Sequence, residues 1–282
     1  MFKTAFIATA GVAALLTASC SSSETSEQST ASGPPKVAPP AILQADTLKV
    51  CAANDGAPPS VYYDESGALI GSEVDLAKAI AAQMGLKAQF VETGFAALIP
   101  TLQAKQCDVI MAALYIKPER EAIVDFVPYL YSGTGIAVSE EYPAAITGMD
   151  ESLCGKKVVV AVGTTAEALS QEQSGKCTAA GKPPVDVNLN SRPVVSIQQV
   201  ENGQVDAYLD AAETLGYYEA KTGAKIKMAS PPFGKIKIGA ATLKGNAELH
   251  NAIEQGLSAL VSDGSYTKIV DQWGQADLSI QN

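Results

Sequence analysis

The stretch that decides the fold runs from Gly71 to Val138. It reads GSEVDLAKAIAAQMG (71–85), FAALIPTLQAKQCDVIMAALYIKPEREAIVDF (95–126) and PYLYSGTGIAV (128–138). In the first block Val74, Ala77, Ile80, Ala81 and Met84 recur at helical spacing. Ser72, with Asp75 three residues on, has the form of a capping box, and Gly85 ends the run, so the block predicts a helix with one face on a sheet. Lys87–Val91 and Asp108–Ala112 read as strands with a helix over Phe95–Ala104 between them. Upstream, a short apolar strand at Leu48–Ala52 leads into the loop Gly56-Ala57-Pro58-Pro59 and a strand end and turn at Tyr62–Gly67. Strands that alternate with helices imply an α/β fold, with a parallel sheet covered on both faces.

The same alternation restarts downstream. Val158–Val162 is a strand and Gly163-Thr164-Thr165-Ala166-Glu167 opens a helix. A strand at Val185–Leu189, a helix around Ile197–Asn202 and a strand at Ala207–Leu209 follow. Two αβ units separated by Gly135–Val138 predict two lobes, with that segment as one crossing and Ile236–Thr242 as the return. Helices over Ala247–Val261 and Tyr266–Trp273 then rejoin the first lobe. The expected boundaries are 46–135 with 237–282 for lobe 1 and 136–236 for lobe 2.

The N-terminal 20 residues carry one cation, Lys3, and an uncharged Ala/Val/Ile/Leu/Thr stretch ending Leu16-Thr17-Ala18-Ser19-Cys20, which is the pattern of a signal peptide. Small residues before a cysteine resemble a lipoprotein processing site, so Cys20 is the expected lipidated N-terminus, although Leu16 lies one place upstream of the usual position. The apolar stretch is shorter than the roughly 20 residues needed to span a bilayer. From Ser21 to Pro40 the chain is rich in Ser, Thr, Glu, Gln and Pro and has too little apolar surface to offset its ordering entropy. A flexible tether over 21–45 is expected. The remaining residues, about 240 of the 282, suffice for two lobes of ordinary domain size.

The formal net charge of −10 and pI near 4.7 disfavour a nucleic-acid or anionic-membrane partner and suit a secreted monomer. Of five cysteines, four follow Cys20: Cys51, Cys107, Cys154 and Cys177. An even number in a secreted chain suggests disulfides. Cys154 with Cys177 is the expected pair, because the strand from Lys156 and the helix from Thr165 can bring their ends together. Cys51 and Cys107 lie on two strands of one lobe and either bond or stand as separate buried thiols. No cysteine spacing is a metal pattern and His250 is the only histidine, so neither metal nor cofactor is expected.

The blocks quoted above, together with Asp263-Gly264-Ser265-Tyr266-Thr267-Lys268-Ile269 and Trp273-Gly274, resemble bacterial extracellular solute-binding proteins of family 3 over about residues 46–275. That resemblance implies the two-lobed periplasmic-binding-protein type II fold, each lobe a mainly parallel sheet flanked by helices, joined by two crossover strands. It also implies capture of an amino acid or related small carboxylate, an extracytoplasmic location, and a membrane permease of an ATP-binding-cassette importer as partner. In such receptors an arginine at the place of Arg120 grips the ligand's carboxylate, and guanidinium matches it as a planar fork. The alternative is a surface pair with Glu121 or Asp125. Thr164 and Thr165 open a helix whose free N–H groups and hydroxyls suit the same anion. Phe95 stands where the family places an aromatic against the ligand. Tyr115 either walls the pocket or offers its phenol.

Departures from the family pattern concern the ligand. Ser or Thr is usual around Ala112, Ala113, Tyr115 and Lys117, and the aromatics that flank the Pro-Pro pair are Ala57 and Ser60 here. The carboxylate for a ligand ammonium is expected at Ala211, and Asp210 comes one place early. In a regular strand that shift points the side chain to the opposite face, so Asp210 serves only if the chain bulges or bends, with Asp55 or Asn54 as substitutes. An enzyme on the same scaffold, of the cyclic dienyl acid dehydratase kind, and a ligand-sensing module are the competing readings. No nucleophile with a base is evident, so no catalytic residue is expected.

Overall fold

The computed structural model describes residues 37–143 and 146–281; the predicted signal peptide, Cys20 and the tether up to residue 36 lie outside them. The end of the expected tether is packed. Val37, Ala41 and Ile42 are buried, the Leu43 N–H donates to Asp108 Oδ1 at 2.7 Å, and Asn246 Nδ2 donates to the Ala41 carbonyl at 2.8 Å. Apolar residues return at Val37, and their burial fixes the segment.

The first part of the chain forms β1 (Thr47–Ala53), the short pair β2 (Tyr62–Tyr63) and β3 (Leu69–Ile70), α1 (Ser72–Gln83) and β4 (Lys87–Thr93). A 3-10 turn leads into α2 (Leu98–Gln103), followed by β5 (Val109–Ile110), α3 (Pro118–Glu121) and the long β6 (Val124–Ser139). The middle comprises β7 (Lys157–Val160), α4 (Thr165–Ala179), β8 (Asp186–Leu189), α5 (Pro193–Glu201), β9 (Ala207–Ala211), α6 (Ala212–Lys221) and β10 (Ile226–Met228). The chain returns through β11 (Phe233–Leu243) and closes with α7 (Ala247–Ser262) and α8 (Ser265–Gln272).

The strand order is β4-β1-β5-β11-β6-β9-β7-β8, with β10 also on β6. β1 pairs in parallel with β4 and β5, and β7 in parallel with β8 and β9, so each end of the order is a three-stranded parallel group. Between them β6 and β11 run antiparallel as the crossover pair. The early residues of β6 pair with β11, Leu130 also bridging to Ser279, whereas Thr134–Ala137 pair with Ala211–Tyr208 of β9. A register shift between Phe233 and Ile236 of β11 falls opposite Ser132–Thr134 of β6, just before the Gly135–Val138 stretch.

Period-two alternation in the strands sorts the core onto two faces in each lobe. Leu48 and Val50 of β1 meet Leu76, Ala77 and Ile80 of α1 and Leu249 and Ile253 of α7. Cys51 and Ala53 join Leu98 and Leu102 of α2 on the other face. In the second lobe Val158 and Val160 pack with Ala166 and Cys177 of α4, and Val159 with Ile197 and Val200 of α5 and Leu215 of α6. Each Val, Leu or Ile among them contributes roughly 1.5–3 kcal/mol on burial.

The capping box predicted at Ser72 does not form. Ser72 is the first residue of α1, buried with its Oγ unpartnered among the described residues, and Gly71 is the cap at φ 135°. A Cβ at Gly71 would collide with the Ser60 carbonyl. Asp75 instead accepts from Trp273 Nε1 at 3.0 Å, which ties α1 to the end of α8. Cys154 and Cys177 form the expected disulfide, and Cys51 and Cys107 are bonded as well, with Cα atoms 5.6 Å apart.

Candidate functional site

The carboxyl ends of β1, β5, β7 and β9 converge on one cleft, as open parallel sheets dispose their ligand sites. The cleft holds about 680 Å³ of empty space, part of it open to solvent. Lobe 1 supplies Asp55, Phe95, Ala113, Tyr115 and Arg120; lobe 2 supplies Thr164, Thr165 and Asp210. Asn54 is exposed and is not among the lining residues.

Arg120 belongs to α3, a single turn started by Pro118, whose ring pre-sets the helical φ. Neither Glu121 nor Asp125 pairs with it. Asp125 accepts from the Gly245 N–H and lies 3.7 Å from Lys244 Nζ. The Arg120 guanidinium donates from Nη1 to the Tyr115 carbonyl at 2.9 Å and from Nη2 to the Gly163 carbonyl of the other lobe at 3.3 Å. It also lies 5.7 Å from the centroid of the Phe95 ring. Burial lowers its proton affinity, a pull that the nearby Glu119 carboxylate partly offsets. Five N–H donors minus two leaves three for a ligand.

Opposite Arg120, the start of α4 offers anion-binding groups. Thr164 is the N-cap: its Oγ1 accepts from the Glu167 N–H at 3.2 Å and donates to the Ala161 carbonyl at 2.7 Å. Glu167 reaches back to the Gly163 N–H at 2.6 Å, so the Thr164/Glu167 spacing does form a capping device. The N–H groups of Thr165 and Ala166 precede the first intrahelical bond and are free of it. Thr165 Oγ1 is buried and has no hydrogen-bond partner among the described residues.

Tyr115 is a wall. Its phenol shares a 2.8 Å hydrogen bond with Ser132 Oγ and donates to the Gly133 carbonyl at 3.1 Å, and burial pushes its ionisation far up. Phe95 borders the cleft with its N–H donating to Asp55 Oδ2 at 2.6 Å, so Asp55 both caps the turn before α2 and faces the cleft. Ala57 also lines the cleft, where its small side chain leaves room, whereas Ser60 is buried outside it and accepts from Gln275 Nε2 at 3.3 Å.

Asp210 reaches the cleft because β9 ends there. It follows Tyr208 on one face of the strand, and the chain turns directly into α6 at Ala211, so both Asp210 and Ala211 border the cleft. The Asp210 carboxylate accepts from the Tyr208 hydroxyl and from the Ala211 N–H, and burial raises its proton affinity. Two oxygens offer about four acceptor positions, so capacity for a ligand ammonium remains.

Several residues not singled out in the sequence complete the surroundings. Thr134 and Ser191 line the cleft. Glu213, at the start of α6, accepts from Ser132 Oγ at 2.8 Å on both oxygens, and burial pushes its carboxyl up to about 7. Glu73 of α1 is 1% exposed and accepts from the Ala113 N–H at 2.9 and 2.7 Å and from the Tyr129 hydroxyl at 2.6 Å. Ala113 has φ 52°, a left-handed conformation that costs an L-residue roughly 1–2 kcal/mol. At the rim, Tyr62 of lobe 1 packs on Tyr217 of α6, ring centroids 5.5 Å apart, and edge-to-face on Trp273 at 6.1 Å.

Known proteins share this architecture. The L-cystine-binding protein TcyJ of Escherichia coli K12 is 29% identical over 225 residues, 79% of this chain and 80% of its own length. The arginine-binding protein ArgT of Corynebacterium glutamicum is 27% identical over 237 residues, 84% of this chain and 77% of its own. Among solved structures, an ancestral arginine-binding protein bound to arginine superposes with a TM-score of 0.73 at 35% identity, covering 81% of this chain and 98% of that one. An ancestral amino acid-binding protein, a precursor of cyclohexadienyl dehydratase, gives 0.71 at 31% identity, covering 81% and 95%. The family model for bacterial extracellular solute-binding proteins, family 3, matches residues 48–276, and the chain belongs to that family.

Proposed function

We propose that this protein is the receptor of an ATP-binding-cassette importer and captures an amino acid between its two lobes. The observation that carries the reading is the pair of anion-binding devices facing one cleft from opposite lobes. They are the Arg120 guanidinium and the start of α4, with its free N–H groups and the unpartnered Thr165 hydroxyl. A carboxylate bound to both favours the conformation in which the lobes meet, which is how ligand affinity becomes a conformational signal. Asp210 takes the ammonium. Asp55 is then a second carboxylate, whereas Arg120 is the one cation among the lining residues, so charge balance favours a ligand whose side chain adds a positive charge or N–H donors. The cystine and arginine receptors among the relatives support an amino acid ligand.

The Lys3-to-Cys20 segment and the polar stretch after it support export, lipidation at Cys20 and tethering to a membrane beside the permease. The relatives named as binding proteins favour a receptor over an enzyme. A thermal-shift panel of L-arginine, L-lysine, L-histidine, L-glutamine, L-glutamate and L-cystine tests the ligand. Binding raises the melting temperature by mass action, most for the cationic members. A shift only with deaminated or decarboxylated analogues would end the zwitterion reading, and a larger shift with glutamate than with arginine would end the charge-balance argument.

A further inference from the structure

We propose that Glu73, a residue of α1 outside the cleft lining, is the positioning residue of the ligand pocket: its carboxylate fixes the left-handed turn at Ala113, and protonation of that carboxylate loosens the turn and weakens ligand binding. The inference rests on the amino acid receptor reading. Ala113 borders the cleft and carries a positive φ without being glycine. Its N–H is held by both oxygens of a carboxylate 40 residues away in sequence, and the same carboxylate takes the Tyr129 hydroxyl. The Ala113 N–H can only donate and the Tyr129 hydroxyl donates here, so the arrangement suits an anion. A neutral carboxylic acid turns one oxygen into an O–H that can go to the Tyr129 oxygen, which leaves a single uncharged carbonyl for Ala113 in place of the charge-assisted hold by both oxygens.

The groups around Glu73 decide where it titrates. Tyr129 of β6 and Glu213 of α6 are the titratable side chains that act on or feel it, and Tyr266 of α8 stands behind Tyr129, donating to its carbonyl at 2.7 Å. None of the salt bridges among the described residues includes Glu73. Burial without a cation pushes its carboxyl up to about 7, against the two hydrogen bonds that favour the anion. The charged fraction then falls about tenfold between pH 8 and pH 6. A ligand that needs the charged, ordered pocket loses apparent affinity in proportion to that fraction.

Two measurements on the whole protein test this. Hydrogen exchange of the peptide containing Ala113, without ligand and corrected for intrinsic rate, should show protection about tenfold lower at pH 6 than at pH 8. Titration with whichever member of the amino acid panel binds should show Kd about tenfold weaker at pH 6. In Glu73→Gln both responses flatten while the protein stays folded, with a melting temperature at pH 8 no lower than the parent's. Tyr129→Phe, which removes one donor to the anion, should move the midpoint to higher pH. Glu213→Gln removes the other carboxyl pushed up to about 7 and should leave the step in place. A pH-independent Ala113 amide in the parent, or an unchanged pH profile in Glu73→Gln, overturns the proposal. If no amino acid binds, the receptor reading fails and the exchange measurement alone still decides the role of Glu73.

Discussion

Replacing Arg120 gives the sharpest test of the carboxylate grip. Two of the five guanidinium N–H donors are committed to the carbonyls of Tyr115 and Gly163, and two of the remaining three suffice for both oxygens of a ligand carboxylate. Charge-assisted bonds of this kind contribute about 1.5–3 kcal/mol each. Arg120→Ala therefore costs about 3–6 kcal/mol of binding, or about 10²–10⁴ in Kd at 1.4 kcal/mol per decade. Arg120→Lys keeps the charge without the planar fork and should recover only part of that loss. Isothermal titration with the amino acid that gives the largest thermal shift measures both variants. Arg120 is only partly buried and its guanidinium makes two hydrogen bonds among the described residues, so the ligand-free melting temperature should move by a few degrees at most. An Arg120→Ala protein that binds within threefold of the parent would rule out Arg120 as the carboxylate site.

Further outcomes follow from buried groups away from Arg120. Glu73 and Glu213 hold protons in the native state up to about pH 7, whereas an unfolded glutamate releases its proton near 4.5. The native state therefore binds more protons across that window, and stability falls as pH rises through it, by about 2 kcal/mol from pH 5.5 to 8 for Glu73 and less for the partly exposed Glu213. Melting curves of Glu73→Gln and Glu213→Gln should have shallower slopes, and unchanged slopes would show that these acids do not set the pH response. The Cys51–Cys107 bond closes 56 residues and Cys154–Cys177 closes 23, so the paired alanine variants should lose about 4 and about 3 kcal/mol in urea melts on the chain-entropy account; the reverse order would contradict it. Asp108 accepts the Leu43 and Lys49 N–H groups at 2.7 Å each. Asp108→Ala should cost about 2–4 kcal/mol and open residues 37–45 to limited proteolysis, and an uncut segment would show that Val37, Ala41, Ile42 and the Asn246 bond hold it without Asp108.

The lobe architecture was legible because it is written in periodicities: the Val74-to-Met84 stripe faces the sheet. The Thr164 cap closes the β7–α4 turn, which begins after Val160. Positions decided by tertiary contacts were less legible. Ser72 looks like a cap, yet the close approach of the Ser60 carbonyl demands glycine at 71 and makes that residue the cap. The Tyr115 phenol could serve a ligand on sequence grounds, but Ser132 and Gly133, brought near only by β6, consume it. Strand parity alone does not reveal that Asp210 and Ala211, the last two residues of β9, both border the cleft. Glu73 gave no sequence signal, since an acid in the first turn of a helix is already accounted for by the helix dipole.

The rim stack of Tyr62, Tyr217 and Trp273 gives this chain a built-in optical gauge. Trp273 is the single tryptophan of the 282 residues, held to α1 through Asp75, and its neighbour Tyr62 touches Tyr217 of the opposite lobe. Parting of the lobes would withdraw Tyr217 and admit water beside the indole, so emission on excitation near 295 nm would report lobe separation without a label. Stopped-flow mixing could then time closure in the native sequence, and Tyr217→Ala would silence the signal at its source.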